Sequence, residues 1–524
     1  MSSSSQVFAA FRVYGDNILE CENYINWLKK ESVSRMKFEE QTGSVDRPIY
    51  IFSDELANGR KIAFQTCPYL GGTGSSILWP HNPLEGIFDE KTDVILTRVM
   101  EDGSESNPIF AIEFVDALMA GNQGWQRSRR AINAGEANLP YLYVLPVIGW
   151  ERDSEGLVLK NPRYLPATVC LAQLTLCSEY GVASLQIYVT SDWSDYAVSM
   201  EYTLPKDYKS FRGLDSAIEY TSGLLRTAID SSEYPKTKFS APLKRILSEM
   251  LSVAKTYSDF SDSKLPIHVN HPALNSSNRD TIADTYCEAM VEGKAVEGRF
   301  ALHTISEEEF SRDGALFWKD AQEKTTSPRF RNQVLALLNW KESADREHKI
   351  RYLRAWNVSV GPNLSSDQLD QVAASSKRLL PTTYKDNKSE AALVPNRGAL
   401  HNILEAAYPR LDGSVLDWIH SDKRKESSGI FLVPLYAYKP SGDSRPDRGL
   451  LPMLKALFPS LVRKDRTLVL VYSKHTPTNW KELIEGKENE LWNSVSSIAG
   501  ALIVDRTESG LVLANNGVRG PITP

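Results

Sequence analysis

Residues 92–147 constrain the fold more than any other stretch of this chain. They read TDVILTRV, a polar turn EDGSESN, PIFAIEFVDA, then GNQGWQRSRRAINAG and YLYVLPV. Two apolar runs of strand length flank the turn, and each carries one carboxylate among its apolar residues, Asp93 and Glu113. A charge set in an apolar strand pattern is costly to desolvate unless something compensates it. Two such charges on adjacent strands can share one cation. The pattern therefore predicts a β-hairpin, a helix and a third strand built around a metal-binding pair.

The rest of the chain divides by texture into three regions. Residues 1–205 alternate helical and strand-like patterns. Residues 18–29 have helical spacing, 48–52 (PIYIF) and 61–65 (KIAFQ) have strand character, and 185–191 (LQIYVTS) supply a further strand. Residues 206–385 are mostly helical, with FRGLDSAIEYTSGLLRTAI and LKRILSEMLSVAKTY as the clearest segments, and a capping box at Ser306 and Glu309. Residues 386–524 return to α/β texture, in which GIFLVPLYAY, a polar loop, a helical segment and TLVLVYS repeat the order of residues 109–147. The expected fold class is α/β.

Composition narrows the chemistry. No apolar run reaches membrane-spanning length, and the first residues lack the basic and apolar regions of a signal peptide. The five cysteines are scattered and form no CxxC pair, which predicts reduced thiols in a cytoplasmic protein and excludes a zinc ribbon. With a net charge of −6 there is no global positive field, so any grip on nucleic acid must be local. Local basic clusters do occur, at Arg127, Arg129 and Arg130, at Lys423 to Lys425, and at Arg463, Lys464 and Arg466. The Gly-rich loop YLGGTGSS lacks the G-K-[ST] ending of a phosphate-cradling loop. His268 and His271 form an HxxH pair without an E-x-x-H partner, a weak zinc signal.

If the two runs pair antiparallel, Asp93 and Glu113 fall near the open end of the hairpin. Carboxylates held there suit Mg²⁺, a hard cation that prefers oxygen ligands and retains waters. An acidic residue on one strand, a glutamate on the next and a helix carrying Gln and Arg together resemble the PD-(D/E)XK nuclease superfamily, which includes many restriction endonucleases. Thr92-Asp93 stands where that superfamily has Pro-Asp, and Glu113-Phe114-Val115 where it has Glu-x-Lys. The resemblance spans roughly residues 10–150, with specific residues only in the last third. It implies a restriction-endonuclease-like mixed sheet flanked by helices, and a Mg²⁺-dependent DNA endonuclease of restriction or antiphage-defence type. Asp93 and Glu113 would be catalytic metal ligands and Glu20, from the first helix, a further ligand. Val115 occupies the lysine position and can neither orient nor activate a water, so Gln126 is the residue expected to orient it. Arg127 or Arg129 would hold a phosphate.

Each of these residues has a structural reading too. Asp93 can cap a turn, Glu113 can form a buried ion pair with an arginine of the following helix, and Glu20 can favour the positive end of the helix dipole. Between residues 439 and 449, Arg445 and Arg448 suit DNA recognition or a self-neutralising loop. The partners implied are double-stranded DNA, a second copy of the chain and a partner methyltransferase or defence-system subunit. A catalytically inactive nuclease fold serving as a DNA-binding or regulatory subunit is the alternative. Acid/base hydrolysis of glycosides by the two carboxylates ranks third, because no sugar platform is recognisable.

Overall fold

The computed structural model describes residues 7–68, 92–115, 127–147, 149–152, 158–163, 167–190, 204–258, 267–269 and 279–294. Beyond these it describes 302–304, 316–319, 345–347, 349–350, 363–376, 390–394, 397–398, 400–401, 404, 417–419, 429–435, 451, 454–456, 462–472, 495, 498–506 and 510–515. The architecture is mixed α/β, and the chain forms two packing units. One takes its described residues from Met1–Ala120, Arg127–Asp259 and His271–Phe300. The other takes them from Phe260–Asn270 and Ala301–Pro524.

The first unit is built on an eight-stranded sheet. Its strands are β1 (Ala9–Gly15), β2 (Met36–Gly43), β3 (Pro48–Asp54), β4 (Arg60–Pro68), β5 (Val94–Val99), β6 (Phe110–Phe114), β7 (Tyr141–Pro146) and, after the separate hairpin β8 (Gly149–Arg152) and β9 (Val158–Arg163), β10 (Ser184–Val189). The spatial order is β10-β7-β6-β5-β1-β4-β3-β2. Strands β10, β7 and β6 run parallel, β5 is antiparallel to both its neighbours, and β1 is parallel to β4.

Burial along the strands follows their place in the sheet. In β3 buried and half-buried residues alternate strictly, as one covered face requires. The runs FAIEF, YLYVLP and SLQIYV are buried almost throughout, which needs cover on both faces. Edge strand β2 is exposed after Met36 and carries Lys37, Glu39 and Glu40, charges that discourage pairing with another sheet.

Helix α1 (Ile18–Leu28) covers one face. Its Tyr24 ring meets Phe110 edge-on at 5.3 Å, and Trp27 meets Phe114 at 5.4 Å, so alternate residues of β6 point toward α1. Ala111 and Glu113 therefore face the other way. A short turn of helix, α2 (Glu31–Ser34), leads from α1 into β2. Helix α3 (Ser128–Glu136) connects β6 to β7 and packs on α4 (Ala167–Tyr180), with Gly135 directly beneath the Tyr180 ring. Helices α5 (Gly213–Ile229) and α6 (Ser240–Ser258) pack against β10, and α7 (Arg279–Glu292) lies on α6. Packing thus joins part of the mostly helical stretch to the first sheet.

One buried ion pair ties α5 to the far side of that sheet. Arg226 Nε and Nη2 each donate to one oxygen of Asp54 at 2.9 Å, and Nη2 also donates to the Ser34 carbonyl at 2.7 Å. Asp54 is fully buried and also accepts from the Leu56 amide at 3.0 Å, so its oxygens are well satisfied.

In the second unit, β11 (Ile267–Val269) pairs with β12 (Leu302–Thr304), which sets His268 opposite His303. A six-stranded sheet runs in the order β13 (Leu316–Lys319), β14 (Glu390–Val394), β15 (Ile430–Leu435), β16 (Thr467–Tyr472), β17 (Ala501–Arg506), β18 (Gly510–Asn515). Its middle strands β15, β16 and β17 are parallel and predominantly apolar, and a helix, α8 (Ser366–Ser376), precedes β14. The capping box at 306 and 309 and the loop of residues 439–449 lie outside the described residues.

Replacing Arg226 by alanine leaves Asp54 charged and buried, and should lower unfolding stability by about 3–5 kcal/mol. Asp54→Asn should cost less. Urea denaturation of the three proteins measures the difference.

Candidate active site

The site forms where β5 begins and β6 ends. Pairing of Val94 with Ile112 makes Asp93 and Glu113 the next positions outward on the two strands. Asp93 extends the ladder with its side chain, since Oδ2 accepts from the Phe114 amide at 2.6 Å. On the other side of β6, the Val115 amide donates to the Val144 carbonyl at 2.9 Å and keeps the strand end in place. Tyr143, the register partner of Glu113 on β7, is buried beside it.

Glu113 is wholly buried and faces α3. Arg127, the N-cap residue of that helix, brings Nε to 2.6 Å from Glu113 Oε1. This is a close charge contact without hydrogen-bond alignment, because Oε1 accepts no hydrogen bond among the described residues. Arg130 donates from Nη1 to Oε2. The two arginines are three residues apart, the spacing that sets side chains on one helix face. They clasp the carboxylate from the same side. Arg129 is buried on the same turn.

The first helix contributes from the opposite face of the sheet. Asn17 caps α1 by accepting from the Glu20 amide at 3.1 Å, while Glu20 Oε2 accepts from the Asp16 amide at 2.8 Å. This reciprocal arrangement, a capping box shifted by one residue, holds Glu20 at the end of β1. Gly15, the last residue of β1, lies so close to the Asp93 carbonyl that a β-carbon there would come within 2.7 Å of it. Helix start and strand start are thereby packed together.

The electrostatics show how closely these groups are coupled. Burial pushes the Glu113 carboxyl up to about 7, and Asp93 adds to the rise while Arg130 and Arg127 oppose it. Asp93 is raised mainly by burial, against the Phe114 amide and the two arginines. Burial, then Asp93 and Asp16, raise Glu20 to about 7. Four carboxylates, fully ionised, would face two guanidiniums, an excess of two negative charges.

Asp93, Glu113, Glu20 and Arg127 are therefore brought to one end of the sheet, and Asp16 and Arg130 join them. The signal for Arg130 was its three-residue spacing from Arg127. Asp16 follows directly from β1, a strand that the reading of the sequence did not assign. Gln126, Arg445 and Arg448 lie outside the described residues. Among the described residues, no group of three or more His, Cys, Asp or Glu side chains is arranged to hold a metal ion.

Comparison with known proteins adds no relative: no family model, no curated protein and no solved structure matches this chain. The site's chemistry rests on its own residues. Among the described residues, no helix is long and apolar enough to cross a membrane.

In the metal-free protein Glu20 should titrate near 7, and Asp93→Asn should move it down toward the ordinary carboxyl range. Carbon-13 NMR of labelled glutamate measures both. The sign of the linked stability follows. The fold holds this proton at pH values where the unfolded chain has released it, so the group's contribution declines as pH rises from about 4.5 to about 7.

Proposed function

We propose that the first unit is a metal-dependent nuclease domain of restriction-endonuclease-like fold that hydrolyses phosphodiester bonds of double-stranded DNA. The observation that carries this reading is a fully buried glutamate at the end of β6, set beside Asp93 of the antiparallel neighbour and followed by a helix whose arginines turn toward it. The chain order supports it too, since the helix leads into β7, parallel to β6, as in the superfamily the sequence resembles.

The donor set fits Mg²⁺. Asp93 and Glu113 are hard oxygen donors, Glu20 stands next to Asp93, and their charge excess matches a divalent ion. Mg²⁺ commonly uses only one or two carboxylates and fills its shell with water and substrate phosphate, so a ready-made cage of protein ligands is not required. Bound there, the ion would polarise the phosphodiester and activate a water. The remaining work falls to the chain itself. Arg127 offers a planar fork for a phosphate oxygen pair, as Arg129 would if it turned outward. Gln126 is proposed to orient the water in place of the lysine that Val115 replaces. Arg445 and Arg448 are proposed to read DNA from the second unit, residues 386–524 forming an α/β recognition or assembly domain. Cutting both strands would favour a homodimer in the cytoplasm, with a methyltransferase or another defence-system subunit as partner.

A second reading has its own observation. Val115 cannot do the work of the lysine, and Glu113 is already neutralised by two arginines. A DNA-binding or regulatory subunit on an inactive nuclease fold would look the same.

Incubation of plasmid DNA with Mg²⁺ separates the readings. The enzyme predicts cleavage that EDTA stops and that Glu113→Ala lowers on the order of a hundredfold or more. Binding without cleavage by the unaltered protein supports the inactive subunit.

A further inference from the structure

We propose that Arg127 is a latch on the candidate active site: a phosphate of the bound strand draws Arg127 away from Glu113, and only then is that carboxylate free to serve as a cation ligand. The inference rests on the nuclease reading and concerns how that site is regulated.

Both oxygens of Glu113 are engaged by guanidiniums, Oε1 by Arg127 and Oε2 by Arg130. One negative charge between two positive ones repels an approaching divalent cation. In the state described, then, the residue best placed to anchor a metal is closed to it.

The two arginines are not equivalent. Arg130 lies within α3, donates a hydrogen bond to Oε2, and its side chain is 11% exposed. Arg127 stands at the N-cap, its side chain is 21% exposed, and its contact with Oε1 has charge but no hydrogen-bond alignment. It is the arginine that solvent and a ligand can reach. A phosphate offers it two aligned acceptors in place of one misaligned oxygen, and guanidinium–phosphate pairs of that kind are among the stronger charge-assisted contacts. Arg130 meanwhile holds Oε2, so Glu113 keeps its position with Oε1 released.

Moving Arg127 onto a strand also changes the local balance in the direction a cation needs. Asp16, Glu20, Asp93 and Glu113 would then face Arg130 alone among the groups that act on one another here. Nucleic acid and divalent cation would bind with positive cooperativity, each favouring the state in which Arg127 is off the carboxylate.

Mn²⁺ binding to the metal-free, full-length protein tests this, with free Mn²⁺ read by electron paramagnetic resonance at low salt. Six samples are compared: the unaltered protein, Arg127→Gln and Glu113→Gln, each with and without a short DNA duplex. Manganese held by the duplex by itself is subtracted. The latch predicts weak binding to the unaltered protein alone. Arg127→Gln should tighten it by about tenfold or more, the value expected for loss of a charged contact. The duplex should tighten the unaltered protein by a similar factor and leave Arg127→Gln nearly unchanged, and Glu113→Gln should abolish both gains. Equal Mn²⁺ affinity in the unaltered protein and Arg127→Gln overturns the latch while leaving the metal site standing. Absence of Mn²⁺ binding in every sample, with or without duplex, overturns the nuclease reading along with it. Should Arg127→Gln prove unfolded by circular dichroism, the unaltered protein decides alone, and no tightening by the duplex overturns the latch.

Discussion

Burial of the Glu113 charge is the constraint on which this end of the molecule depends. A carboxylate with no exposure to water cannot stay ionised without compensation, and the fold supplies it from a single helix turn through Arg127 and Arg130. That turn in turn needs α3 to sit close to the sheet. Gly135 permits this at the other end of the helix, where any β-carbon would lie 2.5 Å from the Tyr180 ring. Gly135→Ala should therefore lift α3 from α4 and cost about 1–3 kcal/mol of unfolding stability, measurable by urea denaturation. The charge pair and the glycine contact hold the two ends of the same helix, one against β6 and the other against α4.

The two faces of the sheet divide the work. Aromatic contacts of Tyr24 and Trp27 fix α1 on the Phe110 and Phe114 side, while the intervening Glu113 turns to α3. Only at the end of the strands do the faces communicate. There Asp93 belongs to neither helix, spends one oxygen on the Phe114 amide, and is felt electrostatically by Glu20 on one side and Glu113 on the other. Convergence of two helices through a strand end is what makes a cluster of carboxylates possible without any one helix carrying them all.

Much of this was legible in the sequence because β-strand periodicity and a hairpin turn act over short distances. The runs 48–52 and 61–65 lie within β3 and β4, residues 185–189 of the expected strand 185–191 lie in β10, and residues 94–99 and 110–114 pair antiparallel around the expected turn. The buried ion pair with a following arginine, one of the readings open for Glu113, is the arrangement observed. What stayed hidden depends on contacts distant in the chain. β1 reads AAFRVYG, with Arg12 in its middle, and only pairing with both β4 and β5 reveals it as a central strand. Asp16 enters the site through that strand. Likewise the Arg226–Asp54 pair joins residues whose separation in sequence carries no local signal. The texture of residues 206–258 is helical, yet packing on β10 makes α5 and α6 part of the first unit.

An ion-paired Glu113 bears differently on stability and on chemistry. For stability, two guanidiniums answer the desolvated charge and the fold gains a fixed helix. For cation binding the same guanidiniums are competitors, since a carboxylate oxygen facing an arginine is not available to a metal. A site serving both ends must exchange one partner for another, and the partner easiest to exchange is the one with the weaker geometry and greater exposure. Arg127 has both properties. In the proposed open state, the charge excess among Asp16, Glu20, Asp93 and Glu113 would favour a cation, whereas the observed arrangement neutralises Glu113 within the fold.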